Sequence, residues 1–201
     1  MAETTDKSAD ITTNVLLSGV GGQGIILIAD IIARSAMLGG CDVKSYGDYG
    51  MARRGGAVSA QVRFGRSVDS PVMLEGNADM LISLELSETV RNAHMLKKDA
   101  RVITNKSIIP PAGAGPKATD DKNLVAFLNQ HFRNVHYIDG NKITSGTGIR
   151  TLNIAMLGCA CASGKLNIKT ASVREAIAEL LKPNEGMNIK AFEAGYSYTT
   201  Y

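Results

Sequence analysis

A chain of 201 residues with 44% hydrophobic and 20% charged residues can bury one normal core, so it is one large domain or a domain with a short extension. The formal net charge of +3 is small and the acids and bases are interspersed, which excludes nucleic acid as the main partner. Residues 1–13 are polar and no apolar run approaches the roughly 20 residues of a membrane span, so a cytoplasmic protein without membrane contact is expected.

In chain order, residues 1–13 read as a flexible tail. A strand is expected at 14–19, a glycine turn at Gly19-Val20-Gly21-Gly22-Gln23-Gly24, and a helix at 24–39 that stops at Gly39-Gly40. A second strand at Asp42–Tyr46 leads into a glycine-rich loop from Gly47 to Gly56, and Ala57–Phe64 alternates as a half-exposed strand does. Met80–Leu84 is a short buried strand. Ser87 is the expected cap of a helix at 88–97, followed by a strand at Arg101–Thr104. The prolines and glycines of Ile109–Pro116 demand a loop. A helix at 120–132, a strand at 134–138 and helices at 148–163, 171–181 and 187–194 follow, leaving 197–201 as a tail. Strands alternating with helices define an α/β class: a single domain with a mostly parallel, Rossmann-like open sheet flanked by helices.

Two of the helices are apolar nearly all round. In the one at 148–163, Ile149, Leu152, Ile154, Met156, Leu157, Cys159 and Ala160 cover every face, so it is buried beneath other elements or against a second subunit. A second subunit is favoured, because a fully interior helix is hard to accommodate in a chain this size. Cys159 and Cys161 lie two residues apart, roughly 200° around such a helix, and read as small buried apolar residues. With Cys41 they make an odd count and no C-x-x-C pair, which offers no usual cluster or zinc spacing and fits a reducing compartment.

The glycine turn is the most informative feature. Strand, G-x-G-x-x-G and helix together form the setting in which a phosphate can approach the first amides of the helix. A dinucleotide site also needs an acid at the end of the second strand to hold the ribose hydroxyls. Here Asp42 opens that strand and Asp48 is expected beyond it, in the loop, so the turn holds another phosphate or only packs. Arg53 and Arg54, flanked by Gly50, Gly55 and Gly56, offer planar donor forks suited to phosphate or carboxylate. The alternative is that one binds backbone carbonyls and the other pairs with an acid at a subunit contact. His94, His131 and His136 read as structural residues. No metalloprotease, P-loop or nucleophile-elbow motif occurs, nor the G-D-G pattern that holds thiamine diphosphate through its metal. No catalytic or metal-ligating residue is assigned.

Gly19–Ile25 followed by Gly50-Met51-Ala52-Arg53-Arg54-Gly55-Gly56 resembles the gamma-type subunit of 2-oxoacid:ferredoxin oxidoreductases, above all the indolepyruvate ferredoxin oxidoreductase beta subunit. Asn105–Pro111, Asn153–Gly158 and Asn188–Gly195 extend the match in order over about 14–196, the expected domain. Tyr46-Gly47-Asp48-Tyr49 is closer to the oxoglutarate and pyruvate branches, and Gly50-Met51-Ala52 to the arylpyruvate branch. The resemblance implies a hetero-oligomer that oxidatively decarboxylates a 2-oxoacid, in the first instance an aromatic one, to an acyl-CoA and passes electrons to ferredoxin or another acceptor. It places thiamine diphosphate, Mg and iron–sulfur clusters in the partner subunits, leaves this chain without a cofactor of its own and inactive in isolation, and sets it against coenzyme A. The expected CoA- or phosphate-binding residues are Gly21, Gly22, Gln23, Gly24, Arg53, Arg54, Gly55 and Gly56. The alternatives are a free-standing dinucleotide-binding oxidoreductase and a purely structural assembly subunit.

Overall fold

The run Asn14-Val15-Leu16-Leu17-Ser18 is rich in strand formers, and in the computed structural model it forms β1 (Thr13–Val20), buried along its whole length. The structure describes residues 12–49, 55–110 and 121–198. Residues 1–11 of the expected tail, the stretch Gly50–Arg54, the prolines at 111 and 116, and residues 199–201 lie outside it.

After β1 the chain turns into α1 (Ile25–Leu38) and continues as β2 (Asp42–Tyr49), β3 (Ala57–Gly65), β4 (Ala78–Ser83) and α2 (Leu86–Arg91). A 3-10 turn at Ala93–Met95 leads to β5 (Leu96–Asn105), α3 (Asp121–His131), β6 (Asn134–Ile138) and α4 (Gly140–Ile143). Then come α5 (Leu152–Ala162), α6 (Thr170–Leu180) and α7 (Glu185–Tyr196). The six strands form one sheet in the order β2-β3-β1-β4-β5-β6. β1, β4, β5 and β6 pair in parallel, and β3 runs against both of its neighbours. All strands but β3 therefore point the same way, which is the mostly parallel α/β sheet expected from sequence.

Three local expectations are corrected. β2 does not stop at Tyr46: it runs to Tyr49, so Gly47 and Asp48 belong to a strand and not to a loop. The cause is its partner, since the hairpin register from Asp42↔Gly65 to Tyr49↔Val58 offers every one of these residues a place in the ladder. Secondly, α2 ends at Arg91 and is capped by Glu85, whose carboxylate accepts the Glu88 N–H at 2.7 Å and the Ser87 hydroxyl at 2.7 and 2.8 Å. Ser87 is inside the first turn and serves the cap instead of being it. Thirdly, β5 starts at Leu96 because Leu96 already pairs with Ala78 of β4.

The sheet has a core on each face. On one, α1 and α5 cover Val15, Leu17, Ile82 and Ile103; on the other, Leu16, Leu81 and Val102 gather with Met73, Ala78, Leu96 and Ala100. The unbroken buried run from Leu152 to Ala160 of α5 lies in the first core, enclosed by α7, α1 and the sheet. The preference for a second subunit over this helix is thereby overturned: its own chain buries it. Small residues allow this. A Cβ on Gly158 would strike the Phe192 carbonyl oxygen, and one on Gly195 would strike the Ala155 carbonyl, so the two helices meet backbone to backbone. Burial pushes the thiols of Cys159 and Cys161 up to about 12, consistent with inert packing.

Gly195→Ala is expected to lower the melting temperature by several degrees, because overpacking a tight contact costs about 1–3 kcal/mol. Gly186→Ala in the same helix meets open space and is expected to leave it unchanged or raise it slightly. Circular dichroism melts of the two variants separate the close-approach requirement from a general need for glycine in α7.

Candidate functional site at the carboxyl edge of the sheet

The chain leaves β1 toward one face of the sheet and β4 toward the other. α1 packs on Val15 and Leu17, whereas Thr89 of α2 bonds Thr104 at 2.6 Å on the opposite face. In an open α/β sheet such a reversal between adjacent parallel strands opens a crevice at their carboxyl ends, where ligands bind. Here that crevice lies between β1 and β4, and Gln23 crosses it. Its side-chain oxygen accepts the Val20 N–H at 2.8 Å, while its Nε2 donates to the Leu84 carbonyl at 3.1 Å. The same carbonyl accepts Asn105 Nδ2 at 3.2 Å, and Asn105 Oδ1 accepts the Gly140 N–H at 3.1 Å. Two amide side chains thus tie together the ends of β1, β4 and β5 and the start of α4.

The glycine turn is built for close approach. Gly24 has φ +80, and a Cβ there would run into the Asn153 side-chain amide. Gly22 has φ +98 and faces open space. Both positions are in the left-handed region that glycine tolerates best. The Gly21 N–H donates to the Gly56 carbonyl at 2.8 Å and the Gly55 N–H donates to the Gly21 carbonyl at 3.3 Å. The first helical bond is from the Ile28 N–H to the Gly24 carbonyl. Among the described residues, the amides of Gly22, Gly24, Ile25, Ile26 and Leu27 therefore have no acceptor.

Beside the turn opens a cavity of about 400 Å³ whose lining includes Gln23, Asn105, Lys106, Asp139, Gly140 and Ile149. Oδ1 of Asp139 caps α4 by accepting the amides of Asn141 and Lys142 at 3.1 and 3.2 Å. Lys106 is exposed at the mouth. Ile109 and Ile149, 39% and 57% exposed, add apolar surface that water alone does not favour.

Of the expected site residues, the structure brings Gly21, Gly22, Gln23, Gly24, Gly55 and Gly56 to one place; Arg53 and Arg54 lie outside the described residues. Asp48, weighed as a substitute ribose ligand, is corrected both in element and in place. β3 inserts between β1 and β2, so Asp48 stands two strands from β1, about 10 Å, opposite Ser59 on the face away from α1. Sequence reading did not assign Asn105 or the Asp139-Gly140 pair to the site. Their signal was position only: each follows a buried parallel strand at its carboxyl end. Glu88, at the far side of the sheet, is 5% exposed, and burial raises its pKa against the opposing pull of Arg91. Among the described residues no group of three His, Cys, Asp or Glu side chains is placed to hold a metal ion, and no helix is long and apolar enough to cross a membrane.

A glycine turn, a laced switch point and a cavity at the carboxyl edge define an open-sheet α/β domain with a candidate binding crevice. The family model for pyruvate ferredoxin/flavodoxin oxidoreductase matches residues 14–198. The indolepyruvate oxidoreductase subunit IorB of Archaeoglobus fulgidus is 34% identical over 189 residues, covering 92% of this chain and 94% of that one. The common gamma subunit of the pyruvate/ketoisovalerate oxidoreductases of Pyrococcus abyssi is 28% identical, covering 90% and 94%. Among solved structures, the gamma subunit of a keto/oxoacid ferredoxin oxidoreductase from Geobacter sulfurreducens superposes with a TM-score of 0.68 at 20% identity, covering 92% and 96%. The 2-oxoglutarate:ferredoxin oxidoreductase of Magnetococcus marinus, solved with 2-oxoglutarate, coenzyme A and succinyl-CoA bound, gives the same score at 17% identity over 92% of this chain and 30% of that longer one. The chain belongs to the pyruvate ferredoxin/flavodoxin oxidoreductase family and is a subunit of a 2-oxoacid:ferredoxin oxidoreductase.

Gln23→Ala and Asn105→Ala are each expected to destabilise the chain by about 1–3 kcal/mol, the usual cost of orphaning a buried polar group. Combined, they should cost more than their sum, since only the double variant strips the Leu84 carbonyl of both donors. Strictly additive urea denaturation would show that the two amides do not share that acceptor.

Proposed function

We propose that this chain is the subunit of an aromatic 2-oxoacid oxidoreductase that presents one wall of the coenzyme A site, the remainder being formed by a partner subunit. The observation that carries the reading is the pair of backbone hydrogen bonds joining Gly21 to Gly55 and Gly56. They fix the residues that directly follow Arg53 and Arg54 against the glycine turn, two motifs more than 30 positions apart in the sequence. Among the described residues five amides without acceptors gather there, and in the sequence Arg53 and Arg54 come immediately before Gly55. That is the donor set a diphosphate or 3′-phosphate of coenzyme A calls for, with amides for close approach and planar forks for charge. The Magnetococcus relative, solved with coenzyme A bound, gives independent support for CoA in an enzyme of this fold.

The aromatic substrate class is supported by the names of the relatives. Four chains at 31–34% identity are indolepyruvate oxidoreductase subunits, whereas the gamma-type subunits of pyruvate enzymes stand at 28–29%. Thiamine diphosphate, magnesium and iron–sulfur clusters are assigned to the partner subunits, and ferredoxin or another acceptor is reached through them. This chain contributes binding and positioning, not bond breaking. A free-standing dinucleotide enzyme finds no support in the site, because no acid on the α1 side of the sheet follows β2.

In the reconstituted complex, Arg53→Ala with Arg54→Ala is expected to raise the KM for CoA about tenfold or more, with a smaller effect on the KM for the 2-oxoacid. Unchanged CoA kinetics would remove these arginines from the site. Loss of the complex on size-exclusion chromatography, with normal CoA kinetics in what remains, would support the assembly reading instead.

A further inference from the structure

β2 is the edge of the sheet, and it is an unusual edge. One face of it lies under α1, where Val43 packs on the core. On its other face Asp42 accepts the Val68 N–H at 2.8 Å, while Lys44, Tyr46 and Asp48 are exposed. Edge strands in soluble proteins are usually blunted by proline, a bulge, shortness or charged side chains, since their free amides and carbonyls invite another strand. Of these β2 has only charge, in Asp42, Lys44 and Asp48. It is eight residues long, lacks proline, and keeps an unbroken register with β3.

The side chains on its open face follow a pattern that reads as its own complement. Asp42, Lys44, Tyr46 and Asp48 alternate on that face, the last three opposite Arg63, Gln61 and Ser59 of β3. Lys44 lies 3.4 Å from Asp42 of its own chain, an exposed pair that a stronger cross-strand partner can replace. In an antiparallel pairing of β2 with a copy of itself about a two-fold axis at Tyr46, Lys44 of each chain stands opposite Asp48 of the other. The two tyrosines then face one another on the axis, and on the reverse side Ser45 meets Gly47, both small enough to bring the strands together. Any other register breaks either the ion pairs or the aromatic pair. Opposite charges and aromatic pairs directly across a ladder are the stabilising cross-strand combinations.

Apolar surface flanks the same edge. The Arg63 guanidinium donates to the carbonyls of Ser70 and Val72, and Gln61 accepts the Met73 N–H at 2.6 Å, so this strap is tied down over β3 beside Tyr46. Its outward side chains, Val72 at 48% and Leu74 at 74% exposure, together with Tyr46 at 43%, have no partner surface within the described residues. We infer that β2 is a homotypic interface: two copies of this chain join edge to edge through antiparallel pairing of Asp42–Tyr49, forming one twelve-stranded sheet in which Lys44 and Asp48 make reciprocal ion pairs around a central Tyr46 pair. The occupant is a second copy because only an antiparallel copy supplies Asp48 and Lys44 in the order required. Such isologous contacts close at two subunits. The inference is independent of the CoA reading, since β2's open face points away from α1 and the glycine turn.

The test uses charge reversal within the full chain, measured by sedimentation velocity over a concentration series. The unsubstituted chain is expected to dimerise. Lys44→Asp and Asp48→Lys should each weaken the dimer about tenfold or more by setting like charges opposite each other, and the double variant Lys44→Asp/Asp48→Lys should restore it. As a readout that does not depend on losing association, Tyr46→Cys should give a reducible self-crosslinked dimer on mild oxidation of the full chain or the assembled complex. A monomer at every concentration with no Tyr46→Cys self-crosslink overturns the inference. So does a dimer indifferent to both single reversals, or a Tyr46→Cys crosslink to a different subunit of the complex.

Discussion

The architecture depends on one backbone carbonyl, that of Leu84, and the two side-chain amides that meet there. Leu84 follows β4 at the point where the chain changes from one face of the sheet to the other. A parallel sheet leaves its strand ends without ladder partners at that point, and buried carbonyls must find donors elsewhere. Gln23 supplies one from the turn after β1, and Asn105 supplies the other from the end of β5. Each side chain has a second bond, to Val20 and to Gly140 respectively, so three strand ends and α4 are fixed relative to one another by two residues. The cavity beside them inherits its shape from this lacing.

The turn with a dinucleotide signature sits in a strand order unlike that of a dinucleotide fold. In a dinucleotide fold the second strand lies next to the first and carries the ribose acid at its end. Here the antiparallel β3 occupies that position, and Gly55 and Gly56, which precede it, bond back onto the turn. Between β2 and β3 the sequence offers no acid and two arginines, Arg53 and Arg54, which suits the phosphate ligand proposed above.

Much of the scaffold is legible in the sequence where the signal is local. The apolar run before Gly19, the left-handed glycines and the helix to Leu38 stand where their residue types place them. The failures are all of non-local origin. Nothing within Asp42–Tyr49 announces that β3 will lie between it and β1, and so the strand's length and the place of Asp48 were misjudged. Ser87 resembles a helix cap, yet the buried Glu85 carboxylate takes that role because its second oxygen also satisfies Ile109 across the chain. The apolar faces of α5 say that it is buried but not by what. Gly158 and Gly195 are both visible in the sequence, but their meaning appears only when α7 returns antiparallel along α5. The two glycine segments are visible in the sequence and lie side by side in the fold, whereas Asn105 and Asp139-Gly140 come beside them only through the parallel order of β4, β5 and β6.

In the proposed function the amides at the start of α1 receive phosphate groups of coenzyme A in the assembled enzyme. Hydrogen–deuterium exchange on the complex, with and without CoA, tests this directly, because Gly22, Gly24, Ile25, Ile26 and Leu27 have no acceptor among the described residues and should exchange quickly. CoA is predicted to slow exchange in the peptide covering these residues, while NADH leaves it unchanged. Slowing by NADH, or exchange indifferent to CoA at saturating concentration, would contradict the claim.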